Sequence, residues 1–418
     1  VRSTCLRLAM LLAVFTACYA VTQSDRLRGM SQSHTVVSGS MAAAILGPHY
    51  RQECAECRFT LICGADTTDV RQNVVCPNCG ESQSWKADIL PQRGDAAWID
   101  TNAPMRRWHV FAYHNDNGET GVKRLIGMPG EQITFNEGDV FANGNRLQKT
   151  ASQFRHVRQL IHDDRFQPSS ANAPQRWRAV PVSTTQWQRT SNGWSFAAAE
   201  SGDKSVLRYH HFLAYESPLS SDTPQVIQDD CPYNANISRS LNTVDDVAVE
   251  ADVTLAKETC LIWRFATRSG DVIVRVQGSG HLRLQHGSQH RSWVIYPGRG
   301  AKNLLVGICD RQAIWQWGEA SGTMELRWRN ERHASVTPVE VAASGGKARL
   351  TNLRLWRDVY YFRPAYLQRQ QTLSRGSWFV LGDNVPVSVD GRHQQGGVRG
   401  KRFLGEVNIW PRESGPSN

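Results

Sequence analysis

Val122-Lys123-Arg124-Leu125-Ile126-Gly127-Met128-Pro129-Gly130 reads as a β-strand that runs into a tight turn. It sets one lysine among apolar neighbours, Val122, Leu125, Ile126 and Met128. An exposed lysine titrates near about 10.4 and is protonated at neutral pH. Closed off from water, the same amine is pushed toward its neutral form and can act as a base. The ordinary alternative is a strand lysine with its amine in solvent. Outward from this stretch the pattern remains β. Residues 94–100 and 107–113 read as two strands before it. After it, Ile133 and Phe135 lead to 139–147, a hairpin turned by Asn143-Gly144.

A base implies a nucleophile. Ser38-Gly39-Ser40-Met41 follows a short strand and reads as a turn that lifts Ser40 out. Gly39, without a Cβ, lets another backbone approach. A serine hydroxyl is a poor nucleophile until a neighbouring base takes its proton. A third piece lies far away: Gly382-Asp383-Asn384, followed by Ser388, Asp390, Gly391 and Arg392. Alone, each has a plain reading. Ser38-Gly39-Ser40 is a turn, and Asp390 with Arg392 is a surface ion pair contributing about 0–1 kcal/mol.

Four of the ten cysteines form two Cys-x-x-Cys pairs, Cys54/Cys57 and Cys76/Cys79, with 18 residues between them. That spacing suits a zinc ribbon, in which four thiolates surround one structural zinc. In an oxidising compartment the same thiols would form disulfides instead. A closed four-sulfur site leaves no position for substrate, so residues 49–92 are read as a stapled insert.

The chain has 418 residues, enough for more than one domain, with a net charge of +10 and a pI of about 9.2. It holds no block of five like charges and no nucleic-acid motif, so the charge is read as a solvated face, with lipid headgroups next and no nucleic-acid partner. Residues 8–21 carry no charge. Fourteen residues fall short of the roughly 18–20 of a spanning helix, and flanking residues that snorkel bring the stretch close. A cleaved signal peptide ending near Cys18-Tyr19-Ala20 is the competing reading. The chain opens on Val1 rather than methionine, which leaves upstream sequence open.

Phe154, Val157, Leu160 and Ile161 have helical spacing and predict an amphipathic helix over 152–163, with His162-Asp163-Asp164 as its polar end. Residues 165–206, rich in Ser, Ala, Pro and Gln, read as irregular. From 236 to 360 short alternating strands recur, as in Leu261/Trp263/Phe265 and Val272/Val274/Val276, and predict an antiparallel sandwich. Trp263, Trp293, Trp315, Trp317, Trp328 and Trp356 are read mainly as core, with sugar stacking as the alternative. The sandwich vaguely resembles concanavalin-like jelly rolls, which often bind carbohydrate.

Taken together, the serine, lysine and Gly-Asp-Asn pieces resemble the boxes of the bacterial type I signal peptidases, membrane-bound Ser-Lys proteases. The last box matches Gly-Asp-Asn-x-x-x-Ser-x-Asp-x-Arg position for position. Ala43 and Ala44 replace the family's Pro and Thr, and His109 stands where it has aspartate. The resemblance implies a mostly β chain in which 24–48, 93–150 and 363–418 form an antiparallel peptidase core behind an anchor at 1–23. The zinc ribbon (49–92), a helix with an irregular connection (151–235) and a jelly-roll-like sandwich (236–362) are inserted. It implies Ser40 as nucleophile, Lys123 as base, Ser38 at the oxyanion, Ser388 orienting the lysine, and Asp383, Asp390 and Arg392 as support. The chemistry needs no cofactor. Implied partners are exported preproteins and membrane lipid, with a glycan or protein as ligand of the sandwich. The implied location is the bacterial inner membrane, single-pass, with the catalytic domain on the extracytoplasmic side. The rival reading is a non-catalytic envelope protein that binds through its sandwich. A cytoplasmic repressor-type Ser-Lys autoprotease is weaker, given the apolar N-terminus and the absence of a DNA-binding helix pair.

Overall fold

The computed structural model describes residues 10, 12–16, 30–170, 173–180, 187–198, 204–212, 223–296, 298, 300–329, 332–363, 370–393 and 396–410. The chain is mostly β. It divides into two compact units, one of 1–48, 93–133 and 363–418, the other of 49–92 and 134–362.

The first unit is organised on one antiparallel sheet of seven strands. In chain order these are β1 (Met30–Thr35), β2 (Ala96–Asp100), β3 (Val110–His114), β4 (Thr120–Gly127), β5 (Ser377–Leu381), β6 (Val398–Arg399) and β7 (Phe403–Ile409). Their spatial order is β1-β2-β7-β3-β4-β5-β6. The C-terminal strands are thus threaded between and beside the early ones. On one face Ala112 and Val122 pack with Met41 and Ile45; on the other, Phe111, Tyr113 and Leu125 pack with Val380 and Val398. With both faces covered, β4 is buried continuously from Lys123 to Gly127. That is why it lacks the in–out alternation of a half-exposed strand. Register carries the site: Lys123 lies opposite Phe111, and Arg124 lies opposite Leu381, just before Gly382.

In the second unit, eight- and seven-stranded antiparallel sheets contribute to one core. The expected alternation holds: Leu261, Trp263 and Phe265 point inward, as do Val272, Val274 and Val276. Trp263, Trp315 and Trp317 are core residues. The rings of Trp293, Trp328 and Trp356 are partly buried and lie under the guanidiniums of Arg291, Arg311 and Arg158. The Asn-Gly hairpin forms as read, with Asn143 and Gly144 both at positive φ (52° and 78°), as a two-residue turn of this type requires.

Two readings of this region change. The helix covers only Ala151–Val157, with Thr150 and Gln153 forming a capping box. Arg158 is extended, and Gln159–Asp163 is a strand paired with Lys347–Arg357. Leu160 and Ile161, both half-buried, are therefore covered as part of a sheet rather than as a helix face. His162 and Asp163 close that strand and Asp164 follows it, all three buried. Nor is 165–206 irregular throughout: Trp177–Val180, Gln188–Thr190 and Gly193–Ala197 are strands, and Lys204–Tyr209 begins another.

The expected anchor is not supported. Among the described residues no helix is long and apolar enough to cross a membrane. Met10 and Leu12–Thr16 are helical, and the rest of 1–23 lies outside the described residues. The single-pass inner-membrane placement and the lipid contact that went with it lose their structural basis.

Candidate active site

Ser40 sits in a single 3-10 turn, Gly39–Met41, directly after an extended Ser38. Met41 and Ile45 anchor the turn in the sheet's core. Lys123 projects from β4, and its Nζ donates to Ser40 Oγ at 2.6 Å. The lysine is only 7% exposed. Burial pulls its pKa down to about 8, with nearby Asp390 and Asp383 opposing the shift and Arg392 adding to it. Ser38 Oγ lies 3.3 Å from Ser40 Oγ and remains exposed to solvent.

The Gly-Asp-Asn box closes against this turn. The Asn384 backbone N–H donates to Ser40 O at 3.1 Å, and Asn384 Nδ2 donates to Gly39 O at 2.9 Å. Gly382 is required by proximity: a Cβ there would lie 2.5 Å from Ser40 O and 2.1 Å from Ser388 Oγ. Ser388 is buried, and its hydroxyl has no hydrogen-bond partner among the described residues, so the orienting bond to Lys123 is not made.

Asp390 and Arg392 form a bidentate pair, Nε to Oδ1 and Nη2 to Oδ2, both at 2.9 Å. Their side chains are 0% and 1% exposed. This is no surface ion pair. Burial alone would raise the Asp390 pKa, but hydrogen bonds from His393, Arg392 and the Gly382 N–H hold it well below the usual carboxylate range. Arg392 also donates to Val385 O and Ser388 O, tying the loop to itself. Asp383 is held by Arg124, Nε to Oδ1 at 2.8 Å with a second bond from Nη2 to Oδ2.

Arg124 and Asn384 carry roles that the sequence reading did not assign. Arg124 follows Lys123 directly, and the alternation of a strand sends it to the opposite face. A charged residue inside an apolar strand was a signal that it needs a buried partner. His109, the departure from the resembled pattern, meets Glu406 Oε1 through Nδ1 at 2.7 Å.

The second candidate site is the cysteine set. Cys54, Cys57, Cys76 and Cys79 are all buried, and their sulfurs lie within 4.8 Å of one another. Cys54 and Cys79 are 3.7 Å apart, as are Cys57 and Cys76. A zinc–sulfur bond of about 2.3 Å implies a tetrahedral edge of about 3.8 Å. A disulfide would need about 2.05 Å. The two knuckles repeat one backbone pattern. Cys54 N–H donates to Phe59 O and Arg58 N–H to Cys54 O; likewise Cys76 N–H donates to Glu81 O and Gly80 N–H to Cys76 O. The fourth residue after each leading cysteine has positive φ, 64° at Arg58 and 84° at Gly80. The donor set fits a four-coordinate thiophilic metal.

The family model described as "Signal peptidase, peptidase S26" matches residues 2–196. A curated relative, signal peptidase I of Bacillus caldolyticus, is 30% identical over 63 residues, 15% of this chain. The chain spans about a third of that relative's length, 34%. Solved structures with some likeness include the apo Crh5 transglycosylase, 9% identical over 46% of this chain and 81% of that one, with a TM-score of 0.31. The carbohydrate-binding module CBM66 of Bacillus subtilis is 11% identical over 43% of this chain and 95% of that one, with a TM-score of 0.26. At these scores the structural likeness carries no weight for function. The Gly-Asp-Asn box lies outside the residues the family model matches, so its place beside Ser40 is an observation independent of that match. The family model over residues 2–196, and the curated relative over 63 residues, support the signal peptidase S26 family.

Proposed function

We propose that this chain is a serine endopeptidase that removes N-terminal signal peptides from exported preproteins, with Ser40 as nucleophile and Lys123 as general base. The observation that carries this reading is the 2.6 Å contact between a buried lysine amine and a serine oxygen on a turn. In the neutral form, Lys123 Nζ accepts the Ser40 proton as Oγ attacks the scissile carbonyl. The Ser40 N–H and the Ser38 hydroxyl donate to the oxyanion, a contribution of about 2.7–4 kcal/mol per donor in other proteases. The lysine then returns its proton to the leaving amine, and water hydrolyses the acyl-enzyme. Asn384 holds the turn, while the Arg124–Asp383 and Asp390–Arg392 pairs fix the floor beneath it. Ser388 would steady the amine once its hydroxyl turns toward Nζ. The substrate would lie along the sheet edge near Ser40 as an added strand. Zinc, held by Cys54, Cys57, Cys76 and Cys79, is structural and takes no part in the reaction.

Cleavage of a preprotein by the purified chain tests this. Ser40→Ala and Lys123→Ala should each lower kcat/KM by roughly 10³-fold or more, as loss of a nucleophile or base does elsewhere. Wild-type rates in either variant would remove the dyad.

A further inference from the structure

The second unit contains a charge imbalance that neither proposed site uses. A cavity of about 30 Å³ is lined in part by Asp139, Asp246, Asp358 and Trp328. That is room for one ion or a water, each water needing roughly 10–15 Å³. Six carboxylates gather here. Arg146 holds Asp139 at 2.6 Å, Arg268 holds Asp245, and Arg311 holds Glu137 at 2.6 Å. Lys149 serves both Asp310 and Asp358, at 2.7 and 2.9 Å. Among the described residues, four cationic side chains thus face six carboxyl groups. Asp246 accepts the Asp310 N–H at 2.8 Å but has no cationic partner among the described residues. A second observation points the same way. Asp358 is 4% exposed, its Oδ2 is turned to Lys149 and Cys309, and its Oδ1 has no hydrogen-bond partner among the described residues. Oxygens of Asp246, Asp310 and Asp358 lie within 4.8 Å of one another and of Cys309 Sγ.

We infer that this pocket binds a divalent, oxygen-seeking cation of the calcium type through Asp246 and Asp358. Were all six carboxyl groups ionised, two negative charges would be left without a cationic partner, and a dication would balance them. Hard cations take carboxylate oxygens, and the pocket wall offers carboxyl groups while Cys309 Sγ is turned to Asp310 and Asp358 as a donor. Asp246 is the half-buried member and leaves the ion a way in.

Terbium serves as a luminescent stand-in for calcium, excited through Trp328 on the cavity wall. The full-length chain, zinc-loaded, should show tryptophan-sensitised terbium emission that calcium displaces, and its Tm should rise with calcium. Asp246→Asn should weaken terbium binding about tenfold or more, a loss of roughly 1.4 kcal/mol per decade. Trp328→Phe should dim the emission and leave the calcium-dependent Tm intact. Asp358→Asn strips a partner from buried Lys149, so the half-exposed Asp246 variant carries the decision, its fold checked by circular dichroism. Two results would overturn the site. One is a folded Asp246→Asn chain that binds terbium as the wild type does. The other is a wild-type Tm indifferent to millimolar calcium but rising on acidification, which would mean that protons alone balance the charge.

Discussion

The cysteine cluster and the serine–lysine pair are built on opposite principles. The knuckle cysteines of the second unit lie within 25 residues of one another, and each pair is positioned by its own turn. The first unit's dyad joins Ser40 to a lysine 83 positions later. Its floor comes from Asn384, more than 340 positions from Gly39. Local chemistry brings the first set together, whereas strand register brings the second. The knuckles should therefore fail when their metal is removed and be indifferent to distant substitutions. The dyad should be indifferent to metal but sensitive to any change that loosens the sheet-to-loop contacts.

Metal removal should have the largest effect. Structural zinc in small cysteine sites contributes apparent binding energies of about 10–16 kcal/mol at neutral pH. Chelation, or Cys76→Ser, should release one zinc per chain and abolish hydrogen-exchange protection across 49–92. Protection of β3 and β4 should not change. A zinc content well below one per chain in metal-replete protein would remove the knuckle half of the comparison.

Next come the buried ion pairs beneath the dyad. Arg392→Met takes from Asp390, at 0% exposure, its bidentate guanidinium partner. Removing one partner of a buried pair costs about 3–5 kcal/mol. Denaturant unfolding should register this, and so should Arg124→Met through Asp383. Joint replacement of both members by apolar residues should recover much of the loss, since the penalty is the orphaned charge. A loss below about 1 kcal/mol would mean that these pairs behave as surface ones.

Asn384 tests the long-range principle more gently. Asn384→Ala deletes one side-chain bond to Gly39 O and keeps the backbone bond to Ser40 O. A buried acceptor left with fewer partners costs about 1–3 kcal/mol. If the bond positions the nucleophile, kcat should fall about tenfold or more with KM unchanged. Equal loss in global stability with normal kcat would make it purely structural.

These contrasts also explain what could be read from the chain beforehand. Asn143-Gly144 and the Cys-x-x-Cys pairs are local statements, and their geometry follows from residues a few positions apart. The alternation from Leu261 to Val276 likewise encodes its own face. Leu160 and Ile161 did not, because their spacing satisfies a helix as well as a bulged strand, and only the distant Lys347–Arg357 strand decides between them. Trp194/Phe196 and Leu207/Tyr209 did carry a period-two signal, hidden by the polar residues around them. Arg124 and Asn384 could be seen as unusual but not assigned, since their partners are set by tertiary register. Ser40 and Lys123 were linked only through resemblance.

The smallest effect is the most diagnostic of burial around the amine. Burial lowers the pKa of Lys123 to about 8, against about 10.4 for a free lysine. Only the neutral amine accepts a proton, so kcat/KM should rise with pH, about tenfold per unit below 8, and level off above it. At pH 7 about one chain in ten would hold the base form. The stability linkage has the matching sign. A lysine whose folded pKa is depressed penalises the fold fully below pH 8, and the penalty fades as pH rises toward the unfolded value. Two substitutions separate this from trivial titration elsewhere. Leu125→Asn brings polarity to the buried strand of Lys123 and should move the inflection upward. Asn384→Ala, which touches the turn but not the amine, should leave it in place. A profile flat from pH 6 to 10 in the wild type would mean that a group other than this lysine takes the serine proton.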